Sequence, residues 1–201
     1  MRKVRDYYFQ KAKKEKYPAR SIYKLEEVQG KYRLLRPGDS VLDLGCHPGS
    51  WSLLASEVVG PKGLVVGVDL QETALAPRPG GAAIHWLCGD ITDPELVSRI
   101  RRLRPAFKVI ISDIAPRTTG NRWTDHQQSM RLADQTLLLA EQLLHDKGHY
   151  LCKLFQGEDT MAFIATLKER FALVKVIKPD SSRKESRELF VLGMEFRKVV
   201  R

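Results

Sequence analysis

One lysine and one aspartate stand in segments that are otherwise apolar and that are typical of buried strands. Lys153 interrupts the run H-Y-L-C-K-L-F at 149–155, and Asp113 ends the run K-V-I-I-S-D at 108–113. Burying an unpaired ammonium is costly, so a lysine in such a strand needs a partner or a function. Both residues are therefore candidates for acid–base chemistry, although Asp113 alone could equally cap a turn.

A second candidate site is the segment 41–51, V-L-D-L-G-C-H-P-G-S-W, in which a short apolar run leads into a glycine-punctuated loop. A strand, a loop and the start of a helix in this order favour a polar, nucleotide-like ligand. Asp69 and Asp90, like Asp113, stand at or just beyond the ends of apolar runs. In open α/β sheets that edge binds ligands. Simple turn chemistry is the alternative for the glycine loop.

Two cofactor classes fit a loop of this kind, nicotinamide dinucleotides and S-adenosylmethionine. Asp69 lies twenty positions after Gly49, close to the offset at which an acid accepts hydrogen bonds from a ribose in dinucleotide folds. The loop reads G-x-x-x-G rather than G-x-G-x-x-G, however, and Pro48 removes a backbone donor that a pyrophosphate requires. S-adenosylmethionine, which carries no phosphate, fits the loop better.

Apolar periodicity predicts alternating strands and helices, which is typical of an open α/β sheet. Strands are expected at 41–44, 64–69, 83–88, 108–113, 149–155, 173–177 and 189–196, and helices at 52–59, 94–103, 126–144 and 160–170. The connection 71–81 contains two prolines and two glycines, so it is expected to be irregular. Only 178–188 separates the last two strands, too few residues for a crossover helix, so they should form an antiparallel hairpin.

The composition predicts one domain with an anionic partner. With 201 residues and 43% hydrophobic content, the chain can build one well-buried core, and a single domain over 1–201 is expected. Lys and Arg total 34 against 24 acidic residues, a formal net charge of +10. This charge favours nucleic acid as a partner, with a basic but merely solvated surface as the alternative.

The cysteines and the hydropathy bear on the compartment. Cys46, Cys88 and Cys152 are odd in number and widely spaced, which disfavours a disulfide framework and a zinc site, so no metal is expected. No apolar run approaches the length of a membrane span, and the first residues lack the apolar core of a signal peptide. We therefore expect a cytoplasmic protein that does not bind membranes.

Five ordered blocks resemble the FtsJ-type ribose 2′-O-methyltransferases, the heat-shock ribosomal RNA methyltransferase family. The blocks are A-R-S-I-Y-K-L at 19–25, D-L-G-C-H-P-G-S-W at 43–51, S-D-I-A-P at 112–116, K-L-F-Q-G at 153–157 and P-D-S-S-R-K-E-S-R-E at 179–188. The resemblance implies a Rossmann-like methyltransferase fold with a seven-stranded, mostly parallel sheet, one antiparallel strand and helices on both faces. It also implies S-adenosyl-L-methionine as the methyl donor.

The same resemblance implies two sets of site residues. The catalytic tetrad of the family falls on Lys24, Asp113, Lys153 and Glu188. Residues expected to bind the donor are Gly49, Trp51, Asp69, Asp90 and Asp113. Glu185 stands three residues before Glu188, and the motif alignment favours Glu188.

A ribose hydroxyl requires such a tetrad because it is a poor nucleophile at neutral pH. The enzyme must position the oxygen and remove its proton. The resemblance makes Lys153 the general base. A lysine acts as a base only when neutral, and burial and a second lysine nearby both disfavour the ammonium form. Asp113 would then orient the base, while Glu188 would hold a lysine by a hydrogen bond.

The expected partner is ribosomal RNA within the large ribosomal subunit, with a uridine ribose as the acceptor and a monomeric enzyme. A basic arm over roughly residues 1–20 and two loops are expected to contact phosphates. Their residues are Arg2, Lys3, Arg5, Lys11, Lys13, Lys14, Lys16 and Arg20 in the arm, and Arg117, Arg122, Trp123, Arg183, Lys184 and Arg187 in the loops.

Other functions stay open at this point. Transfer RNA anticodon-loop 2′-O-methyltransferases share the tetrad, and a small-molecule methyltransferase and a catalytically silent RNA-binding module are further alternatives. The chain also departs from the family pattern, with Cys46-His47 before the loop proline and Gly49-Ser50-Trp51 after it. Contact of His47 with the donor and exposure of His47 to solvent are therefore both open.

Overall fold

Seven strands form one sheet in the order β3-β2-β1-β4-β5-β7-β6. The computed structural model describes residues 2–182 and 185–198, with side chains from Tyr7 onward. The strands are β1 (Ser40–Leu44), β2 (Leu64–Asp69), β3 (Ala83–Cys88), β4 (Phe107–Ser112), β5 (Leu144–Phe155), β6 (Phe171–Ile177) and β7 (Glu188–Phe196). Neighbours from β3 to β5 are parallel, whereas β7 runs antiparallel to both β5 and β6. The predicted mostly parallel sheet with one antiparallel strand is confirmed.

Six helices cover the two faces of the sheet in the described part of the chain. They are α1 (Arg2–Lys14), α2 (Ile22–Tyr32), α3 (Ser50–Val59), α4 (Pro94–Leu103), α5 (Arg122–Leu143) and α6 (Thr160–Arg170). None of these helices is long and apolar enough to cross a membrane. Some of the predicted RNA-contacting groups lie outside the described residues. They are the side chains of Arg2, Lys3 and Arg5 in the basic arm, and Arg183 and Lys184 in the loop before Glu188.

Two elements begin earlier than their apolar patterns predict. Helix α5 starts at Arg122 because the side chain of Asn121 accepts hydrogen bonds from the amides of Trp123 and Thr124, at 3.0 Å each. This cap allows the helix to begin with a turn that has no apolar period. Strand β5 begins at Leu144, and its register with β4 shifts between Phe107 and Val109. An irregular strand start of this kind breaks the alternation on which the prediction depended.

The two core layers lie on opposite faces of the sheet. Alternate residues of the central strands, such as Ile110 and Tyr150, pack under α4, α5 and α6. Their neighbours, such as Ile111 and Leu151, pack under α1, α2 and α3. Because successive strand residues face opposite sides, residues 109, 111 and 113 and residues 151, 153 and 155 belong to the second face. That periodicity places Asp113 and Lys153 on the face of the sheet that α1, α2 and α3 cover.

The connection 71–81 is irregular, as predicted, and packs against the edge of the sheet and the end of α1. The indole nitrogen of Trp86 donates to the carbonyl of Leu75 at 3.0 Å. The guanidinium of Arg78 lies 4.0 Å from the ring centroid of Tyr17 and 3.1 Å from a carboxylate oxygen of Glu57. These contacts tie the connection to both the sheet and the first helices.

A buried carboxyl lies beneath the glycine loop. Asp43 is fully buried in β1, and its Oδ2 accepts a hydrogen bond from Ser52 Oγ of α3 at 2.6 Å. Its Oδ1 has no partner among the described residues. Burial raises the pKa of Asp43 to about 7, and the nearby carboxylates of Asp113 and Asp69 act in the same direction, against the hydrogen bond from Ser52. Asp43 therefore carries its proton over much of the acidic range.

Replacing this carboxyl should change how stability depends on pH. The folded protein keeps the Asp43 proton up to about pH 7, whereas an unfolded aspartate loses it near its ordinary pKa of 3.8. The stabilisation that Asp43 contributes is thus largest below pH 4 and falls, by up to a few kcal/mol, as the pH rises to 7. In Asp43→Asn that fall should be absent. Urea unfolding of both proteins between pH 4 and 8 measures the difference.

The exposed residue Glu72 provides a matched control. The free energy of unfolding of Glu72→Gln should follow that of the wild type at every pH. Parallel curves for Asp43→Asn and the wild type would contradict the assigned titration of Asp43.

Candidate active site

The register of two parallel strands brings Lys153 and Asp113 together. Ser112 of β4 lies opposite Cys152 of β5, so the next residue of each segment adjoins the other. Lys153 Nζ donates to Asp113 Oδ1 at 2.8 Å and also to the carbonyl oxygen of Asp113. The lysine side chain is only 7% exposed. Asp113 is thus the partner that a lysine in a buried strand requires.

A second ion pair joins α2 to β7. Lys24 Nζ lies 2.7 Å from each carboxylate oxygen of Glu188. Ser182 Oγ donates to Glu188 Oε1 at 2.9 Å, and the two charged side chains are only 12% and 11% exposed. Glu185, the competing acid in the sequence, is exposed.

The antiparallel ladder places the second pair on the same face of the sheet as the first. Lys153 lies opposite Phe190, and Phe155 lies opposite Glu188. Residues directly opposite each other in a ladder share a face. Phe190 belongs to the core under α1, α2 and α3, so that face also receives Lys24 from α2. The four residues of the predicted tetrad therefore lie close together as two ion pairs.

Both lysines lower the pKa of Glu188. Burial by itself raises the pKa of Glu188, but Lys24, then Lys153, and the hydrogen bond from Ser182 lower it further than burial raises it. The net pKa lies below its ordinary value. Glu188 is therefore a carboxylate at neutral pH, and its charge offsets part of the positive charge of both lysines.

The start of α3 fixes the turn that precedes Lys24. The indole nitrogen of Trp51 donates to the carbonyl of Ser21 at 2.9 Å, and the Trp51 ring lies 5.7 Å from that of Phe190. The amide of Ala19 donates to Ser50 Oγ at 2.7 Å. The buried Trp51 side chain thus contacts the core and the turn before α2.

A cleft of about 870 Å³ opens at the carboxyl ends of the parallel strands. Asp69, Asp90 and Asp113 all line it, together with Gly45 and His47. Of the five residues predicted to bind the donor, Gly49 and Trp51 are absent from the described lining. Gly49 has a φ of 106° and packs against Leu75 and Trp86, so its role there is to turn the chain into α3.

The hydrogen bonds of the cleft hold its acids in place. Asp69 accepts from the amide of His47 at 3.0 Å and from the amide of Gln71 at 2.9 Å. Asp90 Oδ1 accepts from the amide and the hydroxyl of Thr92, both at 2.8 Å, and these bonds lower the pKa of Asp90. His47 is exposed and also lines the cleft, with Nδ1 3.3 Å from Thr73 Oγ1. The structure is therefore compatible both with exposure of His47 to solvent and with contact between His47 and the donor.

The charge of the cleft distinguishes between the two cofactor classes. Three aspartates line it, with Arg117 and His47 as the cationic or titratable groups. Such a surface repels a pyrophosphate and attracts a ligand that carries positive charge. S-adenosylmethionine has a sulfonium and no phosphate, so these residues fit it and disfavour a nicotinamide dinucleotide. Among the described residues, no cluster of three His, Cys, Asp or Glu side chains is arranged to hold a metal.

A smaller cavity of about 260 Å³ lies beside the second ion pair. Lys24 and Glu188 line it, with Arg20, Phe155 and Ser186. Sequence reasoning did not single out Phe155 or Ser186. For Phe155 a signal existed, because it stands two positions after Lys153 in a strand and therefore on the same face.

Sequence reasoning also missed a buried histidine that holds the loop after β5. His126 Nδ1 lies 2.8 Å from the carbonyl oxygen of Phe155, and Nε2 accepts from the amide of Asp159 at 3.2 Å. A Cβ at Gly157 would overlap the His126 ring. His126 thus fixes the main chain of Phe155, which lines the smaller cavity, and only glycine fits against its ring at 157.

Comparison with known proteins gives a consistent result. A profile of the FtsJ-like methyltransferase family matches residues 17–196. The chain is 61% identical to ribosomal RNA large subunit methyltransferase E of Desulfotalea psychrophila over 198 residues, covering 98% of each. A Plasmodium falciparum crystal structure described as a ribosomal RNA methyltransferase has a TM-score of 0.78 and 28% identity, covering 90% of this chain and 98% of that one.

A more distant structure shares the fold alone. The MycE methyltransferase of the mycinamycin biosynthetic pathway is 14% identical, with a TM-score of 0.58, and the match covers 88% of this chain and 47% of that chain. The sheet is thus a Rossmann-like methyltransferase sheet, and the family match spans the cleft, the smaller cavity and both ion pairs. The chain belongs to the FtsJ-like methyltransferase family.

Proposed function

We propose that this protein transfers a methyl group from S-adenosylmethionine to the 2′-hydroxyl of a ribose in large-subunit ribosomal RNA. One observation carries this proposal: the Lys153–Asp113 pair links the residues that line two cavities. Asp113 lines the acidic cleft, and Phe155, on the same face as Lys153, lines the smaller cavity. An acid–base pair is thus placed where a donor in one cavity would meet an acceptor in the other.

Three aspartates are proposed to hold the donor in the acidic cleft. When bound, S-adenosylmethionine supplies a methyl group on a sulfonium, which is already activated toward a nucleophile. Asp69 is held by two main-chain amides, so its carboxylate is a fixed acceptor for ribose hydroxyls. Asp90 and Asp113 add negative charge on the other walls. Gly49 and Trp51 act indirectly, by shaping the loop and the start of α3.

Lys153 is proposed to take the proton of the acceptor hydroxyl. A neutral amine has two N–H groups and one lone pair. The two oxygens of Asp113 that contact Nζ can accept both hydrogens, which leaves the lone pair for the hydroxyl. The proton then moves from the hydroxyl oxygen to Nζ, and the ammonium that forms is stabilised by the same two oxygens. Transfer to a positioned base contributes about 10²–10⁴-fold to a rate.

The Lys24–Glu188 pair is proposed to position the acceptor. Both residues line the smaller cavity, and Glu188 holds Lys24 through both of its carboxylate oxygens. Lys24 can therefore present remaining N–H donors to a ribose or a phosphate without moving. Arg20 lines the same cavity and adds positive charge on the side where RNA would enter.

The choice of RNA is supported by charge and by the relatives. The chain has a formal net charge of +10, and the relative from Desulfotalea psychrophila is named for the large ribosomal subunit RNA. We place the protein in the cytoplasm as a monomer that acts on the large subunit.

Removing the amine of Lys153 should abolish methylation. Lys153→Met keeps much of the length of the side chain but has no base, so the rate should fall by about 10²–10⁴-fold. Purified wild type and variant are given S-adenosylmethionine labelled on the methyl group with free large-subunit ribosomal RNA, intact large subunits and transfer RNA. The labelled nucleotide is then mapped.

The control is Lys175→Met, which changes an exposed lysine of β6. Its rate should equal that of the wild type. Label on none of the three RNAs would refute the proposed enzyme, and label only on transfer RNA would replace the ribosomal substrate. Full activity of Lys153→Met would show that another group is the base.

Neutralising the end of α1 should weaken RNA binding through charge. Lys13 and Lys14 are exposed in the last turn of this helix. Each phosphate contact contributes about 0.7–0.9 to the slope of log K against log salt, so Lys13→Ala with Lys14→Ala should make that slope shallower by about 1–2. Filter binding of ribosomal RNA across a salt series measures it.

A matched control removes the same charge elsewhere. Arg102 and Arg104 are exposed at the C-terminal end of α4, at the edge of the sheet opposite the cleft. Replacing both with alanine should leave the slope at its wild-type value. Equal losses in the two double variants would mean that only total charge matters and that the arm is no contact surface.

A further inference from the structure

Trp123 is an exposed aromatic side chain in a protein that otherwise covers its tryptophans. Of the three tryptophans in the chain, Trp51 is buried and Trp86 is half-buried, whereas Trp123 is 62% exposed. Contact of a large apolar ring with water is unfavourable, and exposed side chains of this kind often mark a contact surface. No part of the proposed donor or acceptor chemistry uses this ring.

The ring lies close to the acceptor cavity. Trp123 stands in the first turn of α5, directly after Arg122. The guanidinium of Arg187 donates to the carbonyl of Arg122 at 2.7 Å, and the amide of Gln156 donates to the carbonyl of Arg187 at 2.8 Å. Arg187 precedes Glu188 and Gln156 follows Phe155, so these two bonds link Arg122, the neighbour of Trp123, to residues next to the cavity lining.

The indole is also held in place. Its nitrogen donates to Glu158 Oε1 at 2.8 Å, and Asn121 caps the helix that carries it. The polar edge of the ring is therefore occupied by the protein, while much of its apolar surface stays open. A fixed aromatic ring loses little conformational entropy when a partner covers it.

The charge around the ring indicates what kind of partner covers it. Arg117 is exposed in the segment that leads into α5, and Arg122 is exposed at its first position. Arg187, which donates to the carbonyl of Arg122, is half-buried. Glu158, the partner of the indole, is the nearby acid that contacts the ring. An aromatic platform among arginines suits an anionic polymer with planar groups, which is the pattern of single-stranded nucleic-acid binding.

We propose that Trp123 stacks on an unpaired base of the substrate RNA, adjacent to the nucleotide whose ribose enters the smaller cavity. This stacking role rests on the proposed function and adds to it that the RNA beside the target is single-stranded, because only an unpaired base exposes its face to a side chain. Stacking on one base is worth about tenfold in affinity. Trp123 is thus a substrate-positioning residue.

The test uses three variants of the full chain and two probes. The variants are Trp123→Ala, Trp123→Phe and Leu138→Ala, the last a matched control at a 50% exposed apolar position further along α5. The probes are an unmodified transcript of large-subunit ribosomal RNA and assembled large subunits. Dissociation constants, salt slopes, KM and kcat are measured, together with quenching of tryptophan fluorescence by the transcript.

Stacking predicts a specific pattern. In Trp123→Ala the dissociation constant and KM for the transcript should rise about tenfold, with kcat little changed. The salt slope should not change, because no charge is lost. Trp123→Phe keeps a ring and should retain most of the affinity, and the quenching seen in the wild type should be lost in that variant. Leu138→Ala should behave as the wild type.

Three results would overturn the inference. The first is unchanged affinity and KM in Trp123→Ala. The second is a loss of affinity in Trp123→Phe as large as that in Trp123→Ala. The third is an effect seen with assembled subunits but not with the transcript, which would make a ribosomal protein the partner. Binding and quenching require no catalysis. If the wild type quenches and binds as expected but methylates no RNA, the proposed function fails and the stacking stands.

Discussion

The burial of one lysine amine is the constraint on which the rest of this site depends. Lys153 lies in a central strand of the sheet and is 7% exposed, and Asp113 meets its Nζ from the neighbouring strand. A buried pair of this kind is weak as a source of stability, since well-packed apolar residues would serve the core equally well or better. Removing one partner alone costs about 3–5 kcal/mol. A pair that adds little to the fold and is costly to break is best explained by chemistry.

The topology of the sheet converts that pair into a site with two sides. Strands β1 to β4 end in a cleft that three aspartates make negative. The antiparallel β7 carries Glu188 to the opposite side of the pair, where Lys24 of α2 meets it. Positive groups therefore concentrate where an RNA would lie and negative groups where a cationic donor would lie. This separation of charge orients both ligands before any contact with the reacting atoms.

Sequence reasoning succeeded where the evidence was local or periodic. Lys153 and Asp113 stood out because each is charged in an apolar run, and the single antiparallel strand followed from a connection too short for a helix. The proximity of Lys24 to Glu188 depends on tertiary packing, and only the family resemblance indicated it. His126 was missed because a neutral ring in a core position carries no local signal. Phe155 was missed although its place two positions after Lys153 puts it on the same face of the strand. The contact of the Trp51 indole with Phe190 depends on the angle at which α3 leaves the loop, so the sequence could not predict it.

The identity of the methylated nucleoside shows whether the acceptor is a ribose hydroxyl. Large-subunit ribosomal RNA methylated by the purified protein is digested to nucleosides, which are separated and identified by mass spectrometry. The arrangement of Lys24, Asp113, Lys153 and Glu188 predicts a 2′-O-methylated nucleoside, with the added mass on the sugar fragment. A methyl group on the base fragment would contradict the account, because a tetrad built to take a proton from a hydroxyl would then have no role in the reaction.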